Sequence, residues 1–214
     1  MTALTDALAD PRPSVRLRAV MTAGTEPTPD DLDVLVERCA VEPDLQVREM
    51  LTWALVRLPA DIVVPRLVTQ LDRQEAQARS QALHTLSKIR DASVYPAVVE
   101  LVGDPDPGVE RTAWRAAAVL APEDERPALA RRLALALGTG DRDRRLALSR
   151  AMVALGEDVV TPVLATAAER RDAAVRAHAE ETGRLLHDPD AGSALALERA
   201  RREMALGRSK RASG

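Results

Sequence analysis

The stretch "GDPDPGVERTAWRAAAVLAPEDERPALARRL", residues 103–133, reads as two amphipathic helices joined by a short turn. Taking Val109 as an anchor, Ala113, Ala117 and Leu120 follow at offsets of 4, 8 and 11, the spacing of one stripe along an α-helix. Asp106, three residues before the anchor, is placed to cap the helix start with its side-chain oxygen and to face the positive end of the dipole. After the turn, Pro127 stands 18 residues from the anchor, and a second stripe follows at Leu129, Ala130 and Leu133.

The same arrangement recurs along the chain. Val15, Val47, Ala78, Arg144 and Val175 anchor five further copies, and the six anchors are 32, 31, 31, 35 and 31 residues apart. An acid precedes the anchor by three residues at Asp44, Glu75, Asp141 and Asp172 as well, and an arginine follows it at Arg16, Arg48, Arg79, Arg145 and Arg176. The second stripe reads Leu35, Val36, Cys39; Leu67, Val68, Leu71; Val98, Val99, Val102; and Leu164, Ala165, Ala168. Proline returns at Pro65, Pro96 and Pro162, also 18 residues after the anchor. Each is expected in the first turn of a second helix, where its missing N–H has no intrahelical partner to lose. One pair cannot bury both stripes, so neighbouring pairs must stack.

The predicted fold is therefore all-α, an α-solenoid of about six antiparallel helix pairs. It is expected to span residues 1–206 as a single domain, with 207–214 left as a basic, disordered tail. An acid-led start, an alanine-rich first helix, turns such as "LGED" and a second helix opening on "xPxL" resemble HEAT repeats, most closely the short bilin-lyase-like variety. The resemblance covers about residues 8–206. It implies second helices lining a concave surface, and it names no single activity, because such repeats serve unrelated roles.

Composition narrows the function classes. The chain has no Phe, one Tyr and two Trp among its 214 residues, too few aromatics for a tetrapyrrole pocket like that of the bilin lyases. A net charge of −3 gives no global reason to expect nucleic acid or an anionic membrane as partner. One cysteine fits a reducing compartment, and neither a signal peptide nor a membrane span is apparent, so the expected location is cytoplasmic.

Catalytic motifs are wanting. His84, His178 and His187 lack the repeated His-Glu pairs that HEAT-like di-iron hydroxylases carry, so no metal or other cofactor is expected. Cys39 falls in the second stripe as a small buried hydrophobe rather than a reactive thiol. HEAT-like glycosylases use tryptophans on a basic surface, whereas Trp53 and Trp114 occupy different slots of their repeats and read as packing residues.

The preferred reading is a non-enzymatic scaffold, monomeric, that binds a protein of unknown identity on its second-helix surface. The candidate contact residues are Glu37, Arg66, Thr69, Arg73, Glu100, Arg131, Thr166 and Arg170, which should point outward from the second helices. The first rival is nucleic-acid binding through Arg126, Arg131, Arg132, Arg142, Arg144, Arg145 and Arg150 with the basic C-terminal end. A lyase- or glycosylase-like enzyme ranks last.

Overall fold

The computed structural model describes residues 3–188, and all regular structure among them is helical. The helices are α1 (Ala3–Leu8), α2 (Pro13–Thr25), α3 (Leu32–Val41), α4 (Leu45–Val56), α5 (Ala60–Val68) and α6 (Ala76–Ile89). They continue as α7 (Tyr95–Glu100), α8 (Pro107–Leu120), α9 (Arg126–Ala134), α10 (Arg142–Val153), α11 (Glu157–Ala168) and α12 (Ala173–His187). The six anchors of the repeat fall in α2, α4, α6, α8, α10 and α12, the first helices of the six copies. Helix α1 precedes the first copy and packs on α2 and α3; the repeat pattern did not foresee it. The expected basic tail at 207–214 lies outside the described residues.

The chain divides into two compact units, the first ending at Leu129 and the second beginning at Ala130. In the first, successive first helices pack side by side, α2 on α4, α4 on α6 and α6 on α8, while α3, α5 and α7 pack against their neighbours. In the second, α12 packs on both α10 and α11. This is the stacking of an α-solenoid within each unit. The predicted stripes form the core: Val47, Leu51, Leu55, Val109, Ala113, Ala117, Leu120, Leu148 and Met152 are all buried. The second stripe of the fifth copy is shifted. The buried residues of α11 are Val160, Leu164 and Ala167, and Ala165 is exposed.

Leu120→Ala should cost about 2–4 kcal/mol, the range for emptying a buried leucine site. Arg131→Ala, at an exposed position, should change stability by no more than about 0.5 kcal/mol. Urea unfolding of the two variants checks the register; equal effects would refute it.

Capping follows the predicted pattern at four of the five acids. Asp44, Asp106, Asp141 and Asp172 each accept an N–H of their helix's first turn. Glu75 makes no such bond; its carboxylate pairs instead with Arg73, 3.0 Å away.

The prolines correct the sequence reading in part. Pro96 and Pro127 are second residues of their helices, as expected, but Pro65 and Pro162 are sixth residues, inside α5 and α11. In the third copy Asp91 caps a separate 3-10 turn, Ala92–Val94, and the helix restarts beside the proline. The second and fifth copies have no such turn, and helix begins directly at Ala60 and Glu157. The carbonyls deprived of a partner belong to Asp61 and Asp158, both exposed, where water can replace the lost bond.

The arginine after the anchor has one repeated task. Arg16, Arg48, Arg79 and Arg176 each donate from one terminal nitrogen to the carbonyls six and five residues earlier, at 2.7–3.0 Å. Those carbonyls belong to the loop entering the helix, where they have no intrahelical donor. The other edge of the guanidinium reaches the next copy. Arg16 grips Glu42 at 2.7 and 2.8 Å, and Arg79 grips Asp104 at 2.9 Å on both oxygens. Both acids stand five residues before the next anchor and also accept the N–H of the residue two further on, Asp44 or Asp106. Asp104 is therefore an inter-repeat link with a 7% exposed side chain.

Candidate interaction surface

Four of the eight predicted contact residues meet in one place. On α3 and α5, Arg66 bonds to Asp33 at 2.6 Å and to Glu37 at 2.7 Å, and its remaining terminal nitrogen reaches the Thr69 hydroxyl at 3.1 Å. Arg73, just beyond α5, bonds to Glu37 at 3.2 Å and to Glu75. Arg73 is free for this because it occupies the slot that Glu42 and Asp104 fill in neighbouring copies, so Arg48 has no acid to grip there. The hydrogen bond from Arg66 outweighs burial and holds the Glu37 carboxyl below its usual pKa, so the network stays ionised at neutral pH. Both guanidinium groups are half-buried under their carboxylates, and the outermost charge is acidic: Asp33 is 78% exposed.

Of the other four, Glu100 is exposed on α7 in the first unit, while Arg131 on α9, Thr166 on α11 and Arg170 just after it are exposed in the second. The Thr166 hydroxyl is turned back to the Pro162 carbonyl at 3.0 Å.

Beside the Glu37 network runs an open groove between α1 and α3, of about 340 Å³, floored by Leu8, Ala9, Val34 and Val41. Nothing in the sequence pattern pointed to it, because α1 lies outside the repeat.

Residues read as chemically inert in the sequence have structural partners. Burial pushes the Cys39 thiol up to about 12. The Trp114 indole is buried and donates to the Val102 carbonyl at 2.9 Å. The Trp53 ring lies against Gly24, where an added Cβ would stand 2.1 Å from a ring carbon, and Arg57 covers the ring at 5.1 Å. Glycine is required at that crossing.

His178, buried in the second unit, accepts the Gly138 N–H on Nδ1 at 3.0 Å. Its Nε2 must then carry the proton, and it faces the Arg145 carbonyl and the Ser149 hydroxyl, each at 3.0 Å. Gly138 has a φ of +79° and lies so close to α12 that a Cβ would meet the Val175 nitrogen at 2.7 Å. Burial lowers the His178 pKa, against the Arg145 carbonyl and Glu181, which favour the proton; the charges of Arg145 and Arg144 add to the lowering. A lowered histidine pKa stabilises the fold above about pH 6.5, and that stability is lost as pH falls below it. Acid titration of thermal stability should show this loss, and His178→Gln should reduce its slope between pH 6.5 and 5. An unchanged slope would mean the imidazole is not held as described.

Residues 64–136, which contain the whole third and fourth copies, match the family model for HEAT repeats. The chain carries HEAT repeats. The chain matches no curated protein. Among solved structures, an engineered protein is similar at 17% identity over 85% of this chain and 97% of that one, with a TM-score of 0.48. A designed armadillo repeat protein is similar at 14% identity over 86% and 98%, with a TM-score of 0.44. The Glu37 network lies on α3 and α5, which the repeat register makes the second helices of consecutive copies. Among the described residues no helix is long and apolar enough to cross a membrane.

Proposed function

We propose that this HEAT-repeat chain is a non-enzymatic, cytoplasmic interaction module that binds a protein across the second-helix surface of its first unit. The observation that carries this reading is the meeting of Glu37, Arg66, Thr69 and Arg73 on consecutive copies, beside an open apolar groove. Polar groups at the rim of an apolar strip are the composition of a protein-binding surface, where the strip supplies affinity and the rim supplies orientation. Ion pairs within the network also hold its side chains in one geometry before a partner arrives, which lowers the ordering cost of binding.

Affinity capture from nuclease-treated cell lysate tests this. The pair Thr69→Lys and Glu100→Lys alters two exposed second-helix positions; Glu49→Lys alters an exposed first-helix position. The captured protein should fall about tenfold or more with the first pair and persist with Glu49→Lys. Loss with Glu49→Lys alone would place the partner elsewhere and refute the reading. Disappearance of every captured protein on nuclease treatment would favour the nucleic-acid alternative.

A further inference from the structure

We infer that the groove between α1 and α3 receives a short amphipathic segment of a partner protein whose flanks are basic. This inference rests on the proposed second-helix surface and names the chemistry of what binds there. The floor of the groove is apolar, formed by Leu8, Ala9, Val34 and Val41. Val41 is 64% exposed, and Leu45, four residues further on, is 62% exposed, so the apolar surface continues past the end of α3. Among the described residues only Leu135 exposes more of a large apolar side chain than these two.

The rim is acidic. Asp33 and Glu37 line the groove, with Glu75 joined to them through Arg73. Arg38 also lines it, but its guanidinium is turned inward to the buried Glu42, at 2.7 and 2.8 Å, and its side chain is only 19% exposed. Arg66 and Arg73 are two cations shared among Asp33, Glu37 and Glu75. The charge the patch exposes is acidic, because the Asp33, Glu37 and Glu75 side chains stand further out than the arginines they bind. Its unit is net negative as well: residues 1–129 contain 21 acidic and 14 basic residues. Such a field repels nucleic acid and anionic lipid and draws in lysine and arginine. A shallow apolar floor with acidic walls fits a helix that presents apolar residues at i, i+3 and i+4 and cations beside them.

The probe is a dye-labelled 15-residue peptide with leucine at every third or fourth position and lysine elsewhere. Two companions replace the lysines by glutamate or the leucines by serine. Fluorescence anisotropy with the full chain should show saturable binding of the first peptide and at least tenfold weaker binding of each companion. Val41→Arg should weaken binding tenfold or more; Ala9→Arg, at an exposed position across the groove, should do the same if the first variant folds poorly. Glu49→Lys, on a first helix, should leave it within twofold. Equal binding of the lysine and glutamate peptides overturns the inference. So does equal binding of the serine peptide, which would show charge attraction alone, or indifference to both groove variants. A captured partner that depends on Thr69 and Glu100 yet lacks any basic amphipathic segment would sink this inference and leave the second-helix reading standing.

Discussion

Glu42→Ala is expected to destabilise the first unit by about 3–5 kcal/mol, the range for removing one member of a buried ion pair. The Glu42 side chain is fully buried and accepts from Arg16, from Arg38 and from the Asp44 N–H. Alanine would leave Arg16, itself only 4% exposed, as a buried cation without a counter-charge. Burial alone would raise the Glu42 carboxyl; the hydrogen bonds from Arg16, the Asp44 amide and Arg38 overcome it and hold the pKa at about 2. Depressed below its ordinary value of 4.5, the group contributes stability that is complete above that pH and is lost as pH falls from 4.5 toward 2. The contribution is on the order of 3 kcal/mol. Trp53 and Trp114 both lie in the first unit, so urea unfolding followed by their fluorescence reads this unit alone. Wild-type stability should drop across that window, and Glu42→Ala should be lower at pH 7 with the drop flattened. A variant within about 1 kcal/mol of wild type at pH 7 would show that Arg16 is not held by this acid.

Trp114→Ala should cost about 3–5 kcal/mol, the range for emptying a large aromatic site. The ring is 1% exposed, among the side chains of the central copies, and its loss also strands the buried Val102 carbonyl. Trp114→Phe isolates the second effect and should cost about 1–3 kcal/mol. Trp53, 36% exposed on the first-helix side, should tolerate alanine far better. Denaturation midpoints of the three variants give the order Trp114→Ala, Trp114→Phe, Trp53→Ala from worst to mildest. A Trp53 variant as damaged as Trp114→Ala would contradict the packing.

The repeat period carried most of the fold because burial and helical spacing act locally. Offsets 4, 8 and 11 fall on one face of an α-helix whatever surrounds them, so Leu51, Ala113 and Met152 could be placed as core from spacing alone. The proline register was only half readable: whether Pro96 opens a helix or Pro65 sits inside one depends on whether the preceding turn has its own cap. Asp91 has one in the third copy, and the second copy has no equivalent. Arginine after the anchor was visible as a pattern, yet its partners were not, since Glu42 and Asp104 are brought to Arg16 and Arg79 by stacking between copies. The same long-range pairing was invisible at Glu37, Arg66, Thr69 and Arg73. Their outward placement followed from helical phase, but their union through Asp33 and Glu75 requires two copies in contact. The groove was hidden for a different reason. Helix α1 has six residues and no repeat partner, so no periodic signal marks it.

The claim that a protein binds the second-helix surface of the first unit is tested most directly by site-specific photocrosslinking in living cells. A photoreactive amino acid at Thr69 probes that surface, and the same group at Glu49 probes the first-helix side; both positions are exposed. Irradiation should give a discrete protein adduct from position 69 and none from position 49. An adduct from position 49 with none from position 69 would contradict the account.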